Sequence, residues 1–218
     1  MKKLYKNYYF KNRLYNDPKR LKSFKIENFF LKKNITKKEK ICDIGCSTGE
    51  FLNYLNWEGE KYGMEINKFA IQQAKMLGIK FDKDIFNKRN YFEVIILRGV
   101  IQHLDQPFYY IENCYKSLKK NGLLVFLSTP NIGSIYFRLF QNLPALDDKR
   151  NFYLPSKKNL INVCKIYDFK FIDYSSYYLK TGYSNIYSDY LNFFLKIIKI
   201  SKKDNPFPGN MMNLVFKK

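Results

Sequence analysis

Three features of this sequence have the residue types and spacing to do chemistry. Gly45 and Gly49 bracket the string Gly45-Cys46-Ser47-Thr48-Gly49, directly after the short apolar run Ile41-Cys42-Asp43-Ile44. Glycines at the C-terminal end of a strand let the backbone approach a ligand closely, and a helix that starts there offers unpaired N–H groups. Glu65 ends a second run, Tyr62-Gly63-Met64, about twenty residues further on. An acidic side chain at that spacing can accept hydrogen bonds from both hydroxyls of a ribose. Together they indicate a nucleoside-containing ligand. The third feature is His103, the only histidine and so the only side chain whose unperturbed pKa lies near neutrality. It follows a strongly apolar run at 92–97, where ligands bind in open α/β sheets.

The details exclude several chemistries. The glycine string does not match the G-x-G-x-x-G of dinucleotide-binding proteins and lacks the Gly-Lys-Ser/Thr of a P-loop. Cys42, Cys46, Cys114 and Cys164 contain no C-x-x-C pair and have no histidine near them, which argues against a structural zinc and a disulfide framework. Reduced thiols imply a cytoplasmic protein. The first residues lack the apolar stretch of a signal peptide, and no run approaches the ~18 apolar residues of a spanning helix.

The elements that must position these residues are legible as alternating patterns. Apolar runs predict strands at 40–44, 61–66, 79–81, 92–97, 123–127, 169–174 and 211–216. Helices are expected after Asp17-Pro18, after Gly49, from Asn67 to Leu77, from Pro107 to Lys120 with Asn121-Gly122 as the stop, at 156–167 and at 191–200. Strands alternating with helices predict a doubly wound, mostly parallel sheet. The continuous runs Val94-Ile95-Ile96-Leu97 and Leu123-Leu124-Val125-Phe126-Leu127 fit burial on both faces.

In register across 41–131, these segments resemble the class I S-adenosylmethionine-dependent methyltransferases. Asp43-Ile44-Gly45-Cys46-Ser47-Thr48-Gly49 resembles motif I, commonly D-x-G-C-G-T-G, with Ser47 where the middle glycine is usual. Gly63-Met64-Glu65-Ile66 resembles motif II, and Phe92-Glu93-Val94-Ile95-Ile96 resembles motif IV. Gln102-His103-Leu104-Asp105-Gln106-Pro107 is similar to the E-H-x-x-x-P element of the small-molecule branch typified by ubiquinone-pathway O-methyltransferases. Asn121-Gly122 and Ser128-Thr129-Pro130-Asn131 resemble that branch's fifth strand, and Pro206 to Met212 resembles methyltransferases of surface-glycan pathways.

The resemblance implies an α/β, Rossmann-like, seven-stranded sheet. It implies a single methyltransferase domain over 1–218: an N-terminal helical lid (1–38), a cofactor-binding core (39–131), an acceptor-side insert after strand five (132–168), and final strands and helix (169–218). It assigns S-adenosylmethionine to Asp43, Gly45, Cys46, Gly49, Glu65, Ile66, Asp84, Ile85, Leu97 and Arg98, with Glu65 on the ribose and Asp84-Ile85 on the adenine. S-adenosylhomocysteine is then the product. Gln102 stands where the branch has glutamate, which removes a carboxylate ligand, so no metal is expected. His103 is either the general base for O-methylation or a packing residue at the helix start. Arg98 faces the cofactor carboxylate or an anionic substrate, or is a solvated strand-end charge. Tyr136, Arg150 and Tyr153 are candidate acceptor contacts.

The formal charge is +20, from 39 basic and 19 acidic residues. Lysine dominates, in a chain crowded with Asn, Ile, Phe and Tyr, so A/T-rich codon usage accounts for part of the excess. The remainder is uneven: 14 basic against 3 acidic residues in 1–40, 11 against 10 in 41–130, and 14 against 6 in 131–218. A neutral middle between basic flanks suggests a small anionic acceptor such as a nucleotide-linked or phosphorylated sugar, as in polysaccharide biosynthesis. A second class is a quinone or lipid precursor reached by peripheral membrane contact. The basic, amphipathic stretch 190–203 reads either as an interfacial helix or as a core-facing one. A nucleic-acid methyltransferase is a third, opposed by the absence of an N/D-P-P-Y/F tetrapeptide and of a recognisable RNA-binding module. A cofactor-binding pseudoenzyme is the non-catalytic alternative.

Overall fold

A computed structural model describes residues 7–11, 17–36, 39–82, 85–146, 150–176, 178 and 181–218. The helices are α1 (Asn7–Lys11), α2 (Pro18–Asn34), α3 (Glu50–Tyr54), α4 (Lys68–Met76), α5 (Pro107–Ser117), α6 (Ile135–Phe140), α7 (Lys157–Ile166) and α8 (Ile186–Ile197). The strands are β1 (Lys40–Ile44), β2 (Glu60–Met64), β3 (Phe92–Arg98), β4 (Leu118–Pro130), β5 (Lys170–Ser175) and β6 (Met211–Lys217). They form a sheet of order β2-β1-β3-β4-β6-β5. The first four run parallel, and β6 and β5 close the edge antiparallel.

Alternation along the strands divides the core into two layers. Cys42, Ile44, Ile95, Leu97, Leu124, Phe126, Leu214 and Phe216 pack against Ile111 and Cys114 of α5 and Leu160 and Cys164 of α7. Ile41, Val94, Ile96, Val125, Leu127 and Val215 face the opposite way, onto Phe24, Phe30 and Leu31 of α2, Phe51 and Leu52 of α3, and Ala74 of α4. A separate aromatic cluster of Tyr136, Leu143 and Phe193 lies under α6 and α8. The helix starts are capped as their sequences suggest. Asp17, Asn67, Ser134, Ser156 and Asn185 each accept a first-turn N–H through the side chain.

Four expectations change. The seventh strand, at 79–81, is a single bridge: Lys80 N donates to Lys61 O and Gly63 N to Lys80 O, pairing Lys80 with Tyr62 alone. Gly78, left-handed at φ 74°, turns the chain into this position, and a 3₁₀ turn at Ile85–Asn87 follows, so one residue has room to pair. α5 stops at Ser117 instead of Lys120, because Leu118 is extended, fully buried and paired with Phe92, and Asn121 bends β4 at φ 66°. The N-terminal helix expected as a lid is a layer of the core, since Phe24 and Leu31 pack against the sheet. α8 begins at Ile186, five residues before the apolar periodicity suggested, at its Asn185 cap.

Candidate active site

β1 and β3 are neighbours whose connections leave in opposite directions across the sheet. Ligands bind open α/β sheets at such a switch point. Ile44 pairs with Leu97, so the glycine turn and Arg98 emerge level with one another.

The turn is built by backbone geometry. Gly45 has φ 77°, and a Cβ there would lie 2.5 Å from Val100 Cγ2. Gly49 has φ 80°, and a Cβ there would lie 2.4 Å from Ile79 Cδ1. Both positions therefore require glycine. Ser47, between them, is also left-handed at φ 53°, the conformation the usual glycine would adopt, and it carries a cost of about 1–2 kcal/mol for an L-residue. The N–H groups of Gly45 and Cys46 donate to Met64 O at 2.8 and 3.2 Å, which fixes the turn against the end of β2. Glu65 completes the link. Its Oε2 accepts from Ser47 N at 3.1 Å, and its Oε1 from Ile66 N and Asn67 N at 2.8 and 3.0 Å. A carboxylate has about four lone-pair sites, so it keeps capacity for a hydroxyl.

Asp43, at the base of the turn, is buried and its Oδ1 has no partner among the described residues. Burial pushes its carboxyl up to about 8, against the opposing pull of Arg98. Ser47 Oγ and Thr48 Oγ1 are likewise buried without partners. A small cavity lies among Asp43, the turn, Arg20 and Arg98. Orphaned polar atoms beside a buried carboxyl, under a turn that excludes side chains, fit the cationic, nucleoside-bearing S-adenosylmethionine. Asp43 and the turn would hold its charged end and Glu65 its ribose. Ile85 is buried beyond them and Ile66 is partly exposed. Asp84 lies outside the described residues. The side chains of Cys46, which also borders the cavity, and Leu97 pack in the core layers. Cys46 packs in the α2 layer, where a Cβ on Gly63 would meet its Sγ at 2.6 Å, and Leu97 packs in the α5 layer. Burial pushes the Cys46 thiol up, which makes it a packing group and no nucleophile.

Arg98 is neither solvated nor free. Its Nε and Nη2 donate to Glu27 Oε2 and Oε1 at 2.6 and 3.2 Å, and its guanidinium lies 4.6 Å from the Phe24 ring centre and 5.2 Å from that of Phe51. Glu27 is fully buried and also accepts from Ser128 Oγ. One carboxylate thus ties α2 to the ends of β3 and β4. Sequence reasoning missed Glu27; the available signal was a lone acid on the apolar stripe of Phe24 and Leu31.

Arg20 and Arg98 also line a second cleft of about 400 Å³, with Ser128, Tyr178, Thr181, Tyr183, Phe207 and Asn210 on its walls. Arg20 is itself paired with Glu50. Asn210 is buried, and neither its Nδ2 nor its Oδ1 has a partner among the described residues. Its loop is pinned to the end of β4: Asn131 N donates to Asn210 O at 2.9 Å, and Asn131 Nδ2 to Gly209 O at 3.0 Å.

The expected acceptor contacts do not meet in this cleft. Tyr136 is fully buried in the aromatic cluster, its hydroxyl donating toward Asp204 and Asn205, so it is a packing residue. Arg150 and Tyr153 gather around His103 instead. The His103 ring bonds through Nδ1 to Arg150 O at 2.9 Å and through Nε2 to Gln102 Nε2 at 3.3 Å. Phe152 N and Tyr153 N donate to Gln102 O at 2.8 and 3.2 Å. Tyr153 packs edge-on against Phe108, and burial raises its phenol. Among the described residues no group of three or more His, Cys, Asp or Glu could hold a metal ion.

No curated protein matches the chain at a significant level. The fold is similar to that of an S-adenosylmethionine-dependent methyltransferase of Thermotoga maritima, with a TM-score of 0.65 and 17% identity over 92% of this chain and 91% of that one. It is also similar to S-adenosylmethionine-dependent methyltransferases of Archaeoglobus fulgidus (0.61, 19%, over 90% and 95%) and Aquifex aeolicus (0.62, 14%, over 98% of both). At these identities the likeness is one of fold. A family model described as a methyltransferase domain matches residues 15–174, which span β1 to β5 and the glycine turn. With that match and the geometry of the turn, the chain belongs to the class I S-adenosylmethionine-dependent methyltransferases.

Proposed function

We propose that the protein methylates a hydroxyl of a small, sugar-like acceptor bound in the Asn210 cleft. The observation that supports this is the orphaned Asn210 amide, on the wall of a cleft that shares Arg20 and Arg98 with the glycine-turn cavity. A buried amide without partners costs about 1–3 kcal/mol, which a ligand hydroxyl recovers by donating to Oδ1 and accepting from Nδ2. The rings of Tyr178, Tyr183 and Phe207 beside the hydroxyls of Ser128 and Thr181 suit the C–H face and hydroxyl rim of a pyranose.

The bound donor would supply a methyl group on a sulfonium by in-line displacement: the C–S bond breaks as the C–O bond forms, S-adenosylhomocysteine leaves, and the acceptor hydroxyl's proton passes to solvent. The chain's part is to hold the acceptor oxygen about 3–3.5 Å away on the far side, where proximity contributes roughly 7–11 kcal/mol. Both guanidiniums at the cleft already bind carboxylates, Arg98 to Glu27 and Arg20 to Glu50. A phosphate would compete with those partners, so a neutral or weakly acidic sugar suits the cleft better than a phosphorylated one. His103, with both ring nitrogens engaged, is read as a positioning residue that holds the Arg150 segment.

The test is calorimetry with S-adenosylhomocysteine, followed by labelled-methyl transfer into fractionated small-molecule extracts. Label entering a hydroxylated, sugar-containing fraction is expected, and Asn210→Ala should lower that transfer about tenfold or more with S-adenosylhomocysteine affinity unchanged. Binding with no transfer to any fraction defeats the reading and points to a pseudoenzyme. His103→Gln should keep the pH–rate profile; loss of a limb near the imidazole range would make His103 the base after all.

A further inference from the structure

We propose that the outer face of α8 docks on an anionic lipid surface. The helix turns Asp189 and Phe193 inward, half-buries Leu195, and leaves its other apolar residues outside. Tyr187, Leu191, Phe194 and Ile198 follow one another at spacings of four, three and four, and are 87%, 60%, 59% and 62% exposed. That spacing makes one stripe along a helix. Ile197 and Ile200 extend the exposed apolar surface at its C-terminal end. A contiguous apolar stripe on a soluble face marks an interaction surface.

Charge identifies the occupant. Lys199, Lys202 and Lys203 follow the helix, all exposed. The acids of the segment 183–204 are two. Asp189 is buried and accepts from Tyr178 Oη and Asn185 N, and Asp204 is taken by Lys196, Asn142 and Tyr136. Neither acid of that segment is therefore left to oppose an anionic surface. An apolar face with a lysine rim matches acyl chains below anionic headgroups. Nor can the helix hide this face by turning over. Phe193 stacks on Phe207 at 4.2 Å and 12°, and Lys196 binds Asp204, so its inner side is fastened to the body. Tyr183, before α8, and Phe207, which stacks on its inner side, both line the Asn210 cleft.

The full chain is tested by cosedimentation with phosphatidylcholine vesicles with and without phosphatidylglycerol, in the absence of acceptor, so the outcome is independent of which acceptor is methylated. Binding to the anionic vesicles, weakened by salt, is expected. Leu191→Ser with Phe194→Ser should weaken it about tenfold or more. Lys199→Gln, Lys202→Gln and Lys203→Gln together should remove most of its salt dependence. S-adenosylhomocysteine affinity should be unchanged in both variants, which shows that they fold. Absence of vesicle binding overturns the proposal, as does binding equal in the variants. A dimer in solution that Leu191→Ser with Phe194→Ser converts to monomer also overturns it, by making the face an interface between copies.

Discussion

Between residues 39 and 131 the apolar side chains of the strands are sealed on both faces, and the loops at the strand ends are held by backbone hydrogen bonds and buried acids. Beyond residue 131 the packing is of another kind. A small aromatic cluster supports α6 and α8, a buried amide is left without partners, and a stripe of large apolar residues faces water. The first region is built so that one ligand of fixed shape always finds the same cradle. Both keep buried polar atoms without partners, but only the second leaves a stripe of large apolar residues exposed. The +20 charge follows the same division, because the cofactor half is neutral and the excess lies on its flanks.

Breaking the link between the regions should have the largest effect. Glu27→Ala leaves the largely buried Arg98 without its carboxylate and should cost about 3–5 kcal/mol in urea unfolding. The paired change Glu27→Leu with Arg98→Met should recover most of that loss, and a full recovery of cofactor binding would show that Arg98 serves the fold alone. Next comes the cradle itself. Gly49→Ala forces a Cβ against Ile79 at a left-handed position and should cost about 2–4 kcal/mol in unfolding, with loss of S-adenosylhomocysteine binding in calorimetry.

The third effect is a pH dependence. Asp43 is raised from the usual 3.8 to about 8 in the folded protein, so between those values the native state keeps a proton that the unfolded chain has lost. Its contribution to stability therefore falls as pH rises from about 4 to about 8 and is level above. Asp43→Asn should remove that slope from a series of urea titrations across the window; an unchanged slope would mean the carboxyl is not the group responsible. The smallest effect is at Ser47. Ser47→Gly relieves about 1–2 kcal/mol of left-handed strain and gives back about 0.5–1 in unfolded-chain freedom. A rise of a few degrees in Tm is expected. A fall in Tm would show that the Ser47 hydroxyl has a role the strain argument leaves out.

The cofactor half was legible because its determinants are local. Gly45, Gly49 and Glu65 act through backbone conformation and through hydrogen bonds between neighbouring strand ends, and such constraints must be written into contiguous residues. The acceptor half was not. Tyr136 was expected at the cleft and is sealed in the aromatic cluster. Asn210, quoted only within the Pro206 to Met212 resemblance and given no role there, is on its wall. Arg98 was noticed as unusual, but its partner lies 71 residues earlier in the chain, on a helix whose periodicity it interrupts. The choice between an interfacial and a core-facing helix at 190–203 was also open. In the structure one side of α8 packs on the body through Asp189 and Phe193, and the other is exposed.

The sequence by itself determined the turn chemistry, the alternation of strands and helices and the nature of the cofactor site. Each of these is a local backbone requirement that only certain residues meet. Which acid neutralises Arg98, which amide is left without partners and which side of α8 meets water were decided only by the tertiary structure. Those outcomes depend on residues far apart in the chain coming together, and on what surface remains once the two core layers have closed.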